Sequence, residues 1–198
     1  MALISTTTPL FAALIATVFA AILATDAGLN AGQVSAGGLA RAAAHEDITH
    51  EDAFALALAA YDAGRYGEAA RIWSRLSGAG DAQATAALAG LYRQGLGVPR
   101  DLARAAHLYR RAGLRGHVIA QANFAEMLIE RESLSPNRDQ ARAWAWFHLA
   151  GVGGNVWAKG QAARLWAALP RADRVRARAF LRTIKKEITA RKEIPAGP

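Results

Sequence analysis

Cysteine is absent from this 198-residue chain. Its absence excludes a disulfide scaffold, a thiolate zinc finger and a thiol nucleophile. Acidic residues are sparse, with 16 Asp and Glu against 24 Lys and Arg, for a formal net charge of +8. That balance suits nucleic acid, an anionic surface or acidic proteins, and does not choose among them. Lysine is scarcer still, and the Arg excess fits the codon bias of a GC-rich genome without any recognition chemistry. Charged residues make up only 20% of the chain and apolar residues 53%, which excludes a wholly disordered polypeptide. Catalytic signatures are missing too. No Ser-x-x-Lys, Gly-x-Ser-x-Gly, Gly-x-x-x-x-Gly-Lys or Gly-x-Gly-x-x-Gly occurs. Gly95-Leu96-Gly97 is too short for a phosphate loop and lacks its Lys. Nothing here implies a cofactor or catalysis, and the length allows one domain with a small appendage.

Long hydrophobic runs are likewise lacking, with one near exception. Leu10 to Ala24 reads LFAALIATVFAAILA, fifteen residues. As a helix this spans about 22 Å at 1.5 Å per residue, short of the ~30 Å hydrocarbon core of a bilayer. The length fits the apolar core of a secretory signal peptide, with cleavage after Ala27 or Ala24. No Lys or Arg precedes the run, which departs from the signal pattern. The competing reading is an uncleaved anchor in the inner membrane, lengthened by Ala2 to Pro9. Under either reading the residues after about 28 lie outside the cytoplasm, in the periplasm or beyond. Residues 28–48 are Ala- and Gly-rich without a sustained period and read as a flexible linker.

What the chain does have is a repeat. EAARIWSRLSGAGDAQA from Glu68, RAAHLYRRAGLRGHVIA from Arg104 and RAWAWFHLAGVGGNVWA from Arg142 align without gaps at offsets of 36 and 38 residues. Ala69, Ala105 and Ala143 share the first column, where a small residue lets two helices approach. Trp73, Tyr109 and Phe147 share the second, where an aromatic fills the wedge between helix pairs. Gly80, Gly116 and Gly154 supply a left-handed turn after a helix. Ala84, Ala120 and Ala158 close the set. The residue after each Gly is Asp81, His117 or Asn155, polar as a helix start requires, with Asp81 and Asn155 suited to capping. A period near 36 residues holds two helices and two turns, the unit of an α-solenoid. The spacing predicts helices near 50–63, 66–77, 81–94, 101–113, 117–131, 138–151, 155–168 and 171–192, with repeats over 49–169.

These residues carry a family resemblance. Leu91 to Leu128 resembles a Sel1-like repeat, a relative of the tetratricopeptide repeat. The match rests on Tyr92, Gly95, Gly97, Val98, Asp101, Ala105, Tyr109, Ala112, Gly116, His117, Ala120 and Gln121. It extends over about 51 to 168 and fades at both ends. The first unit, AYDAGRYGEAARIW, looks more like a plain tetratricopeptide repeat, and the third replaces the Gly-Val turn with SLSPNRD, keeping only Asp139 where Asp101 stands. The resemblance implies an all-α right-handed superhelix of antiparallel helix pairs, serving as a scaffold or adaptor that binds proteins.

Five histidines and several carboxylates invite other readings. HEDITHED at 45–52 misses the H-E-x-x-H spacing of a zinc protease, and His45 and His50 would lie about 140° apart on a helix. The segment reads instead as an acidic helix start capped by Thr49. His117 interchanges with Asp81 and Asn155, which argues for helix-start polarity and against ligation. His107 and His148 also fall at repeat positions, and no metal is expected. Trp144, Trp146 and Trp157 cluster in the third unit. Packing explains Trp146, whereas Trp144 and Trp157 lie outside the aromatic column and are candidates for either the core or a binding face.

Pro170 opens a basic capping helix and tail over 170–198. Ala177, Phe180, Leu181, Ile184 and Ile188 make an apolar stripe suited to sealing the final pair. Arg171, Arg174, Arg178, Arg182 and Lys185 make a basic stripe about 100° away. The stripe is either a solvated face or a contact for anionic lipid, a cell-wall polymer or an acidic partner. Nucleic acid conflicts with export and is not expected. The reading as a whole is an exported, monomeric scaffold of the bacterial cell envelope that holds a protein or peptide on its concave face. Its anchors would be Tyr92, Tyr109, Trp144 and Trp157, with Arg93 and Arg110 giving polar contacts. A peripheral binder of anionic surfaces comes second, and a cell-wall hydrolase last.

Overall fold

The computed structural model describes residues 49–130 and 136–193. Residues 1–27, read from sequence as a signal or anchor, and residues 28–48, read as a linker, lie outside the described residues. Eight helices follow in order: α1 (His50–Asp62), α2 (Tyr66–Gly78), α3 (Ala82–Gln94), α4 (Leu102–Leu114), α5 (Val118–Glu130), α6 (Pro136–Val152), α7 (Val156–Ala168) and α8 (Arg171–Glu193). No strand occurs among the described residues. Each boundary falls within two residues of the expectation drawn from the repeat. From α1 to α7 each helix packs on the next, the antiparallel stacking of an α-solenoid.

The repeat columns do what their chemistry requires. Ala69, Ala105, Ala143, Ala84, Ala120 and Ala158 are all fully buried at helix–helix contacts. Trp73, Tyr109 and Phe147 are buried beside them. Gly80, Gly116 and Gly154 take φ of 101°, 89° and 99°, the left-handed region that L side chains resist. The next residue then caps the following helix. Asp81 Oδ1 accepts from Ala84 N at 2.7 Å and Asn155 Oδ1 accepts from Ala158 N at 2.9 Å. His117 does the same work, with Nδ1 accepting from Ala120 N at 3.1 Å. The third column and the last are thus one device: a turn, a cap and the capped amide.

The Gly-Val loop between α3 and α4 ties one unit to the one before it. A Cβ on Gly97, whose φ is 67°, would lie 2.3 Å from the backbone of Tyr66 and Gly67 at the start of α2. Only glycine allows that approach. Asp101 then caps α4 by accepting from Arg104 N at 2.8 Å.

Two core clusters run along the stack and meet at Phe124. The first is built on Trp73, Leu88, Leu91 and Tyr109, with Phe54 and Tyr61 leaning on Trp73. The second is built on Trp144, Trp146, Phe147, Leu169 and Ile184. Polar groups inside are mostly spent on one another. Ser77 and Thr85 share a 2.8 Å hydrogen bond, and Arg111 donates to the Ser77 hydroxyl, so α2, α3 and α4 are pinned at one point. Gln121 donates from Nε2 to the Gly113 carbonyl at 2.9 Å and holds α5 to α4.

The capping helix does more than seal the last pair. Its apolar stripe is turned inward as expected, with Ala177 and Ile184 buried and Phe180, Leu181 and Ile188 packed against them. It docks chiefly on α6, however, and reaches back as far as α4. The turn that aims it is fixed by Leu169, which is buried, and by Arg174. The Arg174 guanidinium donates to the Leu169 carbonyl at 2.9 Å and the Ala167 carbonyl at 3.1 Å, satisfying the end of α7.

Candidate interaction site

Because α8 folds back toward α4, a groove of about 760 Å³ is left between α4, α5, α6 and α8. Ala103 and Ala106 give it a low wall on α4. Phe124, Met127 and Leu128 of α5 and Trp146 of α6 form the floor, and Phe180, Thr183 and Ile184 of α8 the opposite wall. Its rim is charged. Arg110 of α4 donates to Glu187 of α8 at 2.7 Å, bridging the two walls. Arg142 lies 5.1 Å from the centre of the Phe180 ring. An apolar floor with a few convergent charged groups is the usual make-up of a site for a side chain or peptide segment.

The residues singled out from the sequence scatter around this groove. Arg110 lines it and is tied to Glu187. Arg93, on α3, donates to Glu126 at 3.1 Å and Glu130 at 2.8 Å on α5. Burial opposes its charge, but the two carboxylates outweigh that and raise its proton affinity. Glu130 carries the network onto the groove rim. Tyr92 is half-buried, with Arg104 stacked 4.5 Å from its ring centre. Tyr109 is 4% exposed, and burial above all holds its phenol protonated. Trp144 is 8% exposed, sandwiched between His148 at 5.0 Å and Trp166 at 4.7 Å. Tyr109 and Trp144 are therefore core residues, although an edge of Trp144 lines a cleft beside His148 and Trp166. Trp157 is 49% exposed and sets its ring edge-on to Phe147 at 5.4 Å. Trp144 is interior because His148 of α6 and Trp166 of α7 close over it, whereas among the described residues the Trp157 ring meets the ring of Phe147 alone.

The basic stripe divides in the same way. Arg174 is spent on the end of α7, and with Arg178 it covers the Trp166 ring at 5.5 and 5.0 Å. Arg171, Arg182 and Lys185 are exposed. Sequence reasoning missed Phe124, Met127, Thr183 and Glu187 as groove residues. The i, i+4 pair Glu126 and Glu130 was a visible signal for Arg93, but nothing in the spacing announced that α8 would return to α4. His50, offered as part of an acidic helix start, pairs its Nδ1 with Asp81 at 3.4 Å. His45 lies outside the described residues. Among the described residues no group of three or more His, Asp or Glu is placed to hold a metal, and no helix is long and apolar enough to cross a membrane.

No family model and no curated protein matches the chain. A solved structure does. The chain is similar to a protective antigen present in uropathogenic Escherichia coli strains displaying an SLR fold, that of the Sel1-like repeat, with a TM-score of 0.63 and 20% sequence identity. The match covers 77% of this chain and 34% of that one, so this chain spans about a third of that antigen's length. The fold class is thereby defined: this is an all-helical solenoid of the Sel1-like repeat type, with a C-terminal capping helix added.

Proposed function

We propose that the chain is an exported, non-catalytic scaffold of the bacterial cell envelope that holds a peptide segment of a protein partner. The groove between α4, α5, α6 and α8 carries this reading. It is long enough to involve four helices and apolar at its floor, and it is bordered by the Arg110–Glu187 and Arg93–Glu130 pairs that can exchange partners with an incoming chain. Helical repeats commonly use such recesses for extended binding surfaces, because stacked units build a surface wider than any single unit. Export rests on the apolar run at Leu10 to Ala24.

A displayed peptide library tests the groove directly. Enriched peptides should carry apolar residues at helical or alternating spacing, flanked by charge. Ala103→Arg and Thr183→Arg fill the mouth of the groove from exposed positions and should each weaken those peptides by at least tenfold. Peptides that bind both variants as well as the parent protein would place recognition elsewhere. Mass spectrometry of the mature N-terminus tests export, which requires either loss of the first 24 to 27 residues or retention of an intact anchor at the membrane.

A further inference from the structure

The α6–α7 hairpin carries a surface that the groove does not use. Its turn is made by Gly153, Gly154 and the cap Asn155, which are sufficient for the geometry. Yet Val152 before it is 74% exposed, Val156 after it is 82% exposed, and Trp157 stands beside them. Turns ordinarily carry polar residues at such positions. From Val152 a cleft of about 430 Å³ runs along α7, lined by His148, Lys159 and Trp166 among others, and none of its lining residues is acidic. Arg178 sits over Trp166 at the far end. Lys185 is close enough to His148 to add to burial in lowering its proton affinity.

The cations here are uncompensated. Lys159, Arg178 and Lys185 form no ion pair among the described residues. The carboxylates of α8 nearest in sequence are engaged elsewhere: Asp173 is buried against Arg176 at 2.7 Å, and Glu187 is held by Arg110. An acidic peptide would answer the cations but would leave two projecting valines unexplained. A bilayer answers both. Its interface takes up Trp and short apolar side chains, and its anionic head groups pair with Lys and Arg around them.

We propose that the α6–α7 hairpin docks on an anionic phospholipid bilayer. Val152, Val156 and Trp157 enter the interface, and Lys159, Arg178 and Lys185 meet lipid phosphates. The surface is separate from the peptide groove, so either assignment can fail without the other. The experiment is tryptophan quenching of the full chain by vesicles of phosphatidylglycerol and phosphatidylcholine with brominated acyl chains. Quenching is expected with anionic vesicles and should be mostly lost in Trp157→Phe, because Trp73, Trp144 and Trp146 are buried and the Trp166 ring is covered by Arg174 and Arg178. Lys159→Glu with Lys185→Glu and Arg178→Glu should weaken vesicle binding about 100-fold. The double reversal at Lys159 and Lys185 leaves the Arg178–Trp166 contact intact and should show most of that loss if α7 repacks in the triple variant. Equal quenching by purely zwitterionic vesicles, or quenching indifferent to Trp157→Phe and to the reversals, would overturn the proposal and assign the signal to the N-terminal apolar run. Charge-dependent binding to polyglutamate with no vesicle quenching would overturn it in favour of an acidic protein partner.

Discussion

His117 shows how one residue brings a pH response near neutrality to a capping position of the repeat. Asp81 and Asn155 cap their helices through oxygen, whereas His117 caps through an unprotonated Nδ1. Burial lowers its proton affinity below the ordinary histidine range, and the Asp81 charge only partly restores it. The unfolded chain therefore binds a proton more readily than the folded one in the interval between the lowered value and the ordinary value of about 6.5. Above about pH 6.5 both states are neutral and nothing is lost. As pH falls through that interval, stability declines, and a protonated Nδ1 would no longer accept from Ala120. His117→Asn replaces the cap with the residue the third unit already uses. Thermal unfolding of the variant should match the parent at pH 8 within about 0.5 kcal/mol, since both are competent caps. It should fall less steeply between pH 7 and pH 5. An identical slope in the two proteins would mean that His148, also lowered by burial and by Lys185, carries the whole response. The polar role of residue 117 was legible because it interchanges with Asp and Asn in the alignment. Its proton affinity was not, because burial is set by the neighbouring unit.

At the scale of the element, α8 is where sequence and structure part most. Its apolar stripe follows from helical periodicity, and the structure places those residues inward. Its destination does not follow. Periodicity fixes which face is buried, and the direction of the helix is set by the Leu169–Pro170 turn and the Arg174 hydrogen bonds behind it. The same turn explains why Arg174 left the basic stripe, since its guanidinium is spent on the carbonyls at the end of α7. Ile184 is the test of that seating, being buried at the contact with α6 while Val175, one side of the same helix, is 65% exposed. Ile184→Ala should cost about 2–4 kcal/mol in urea unfolding, as for other buried aliphatic truncations. Val175→Ala should change stability by less than about 0.5 kcal/mol. Equal effects at the two positions would mean that α8 is not held against α6 through this face.

For the molecule as a whole, the uneven charge and the fold-back have a common consequence. From Arg171 to Glu193 nine Lys and Arg stand against three Asp and Glu, so six of the eight excess positive charges belong to α8, and the rest of the chain carries two. A solenoid in which each unit touches only its neighbours would lose little beyond α7 if its last helix were removed. Here α8 also reaches α4, through Glu187 to Arg110, and shares a core cluster with α6. The first core cluster, built on α1 to α5, contains no residue of α8 and touches the second through Phe124. Ending the chain after Pro170 should therefore have a graded effect. Hydrogen exchange followed by mass spectrometry should show protection lost in α6 and α7, reduced in α4 and retained in α1 and α2. If removal of the helix makes the chain associate, Arg110→Glu in the intact protein gives a gentler form of the same test. It sets like charges against each other and should raise exchange at the α4–α8 contact while sparing α1. Uniform loss of protection from α1 onward in both cases would mean that the stack unfolds as one cooperative unit, with α8 as its keystone. Retention everywhere but α7 would mean that the fold-back contributes nothing to it. The expected intermediate outcome follows from where the two clusters meet, since a perturbation of the second passes to the first through α4 and α5, by the packing around Phe124, the α4–α5 contact and the Arg110–Glu187 pair.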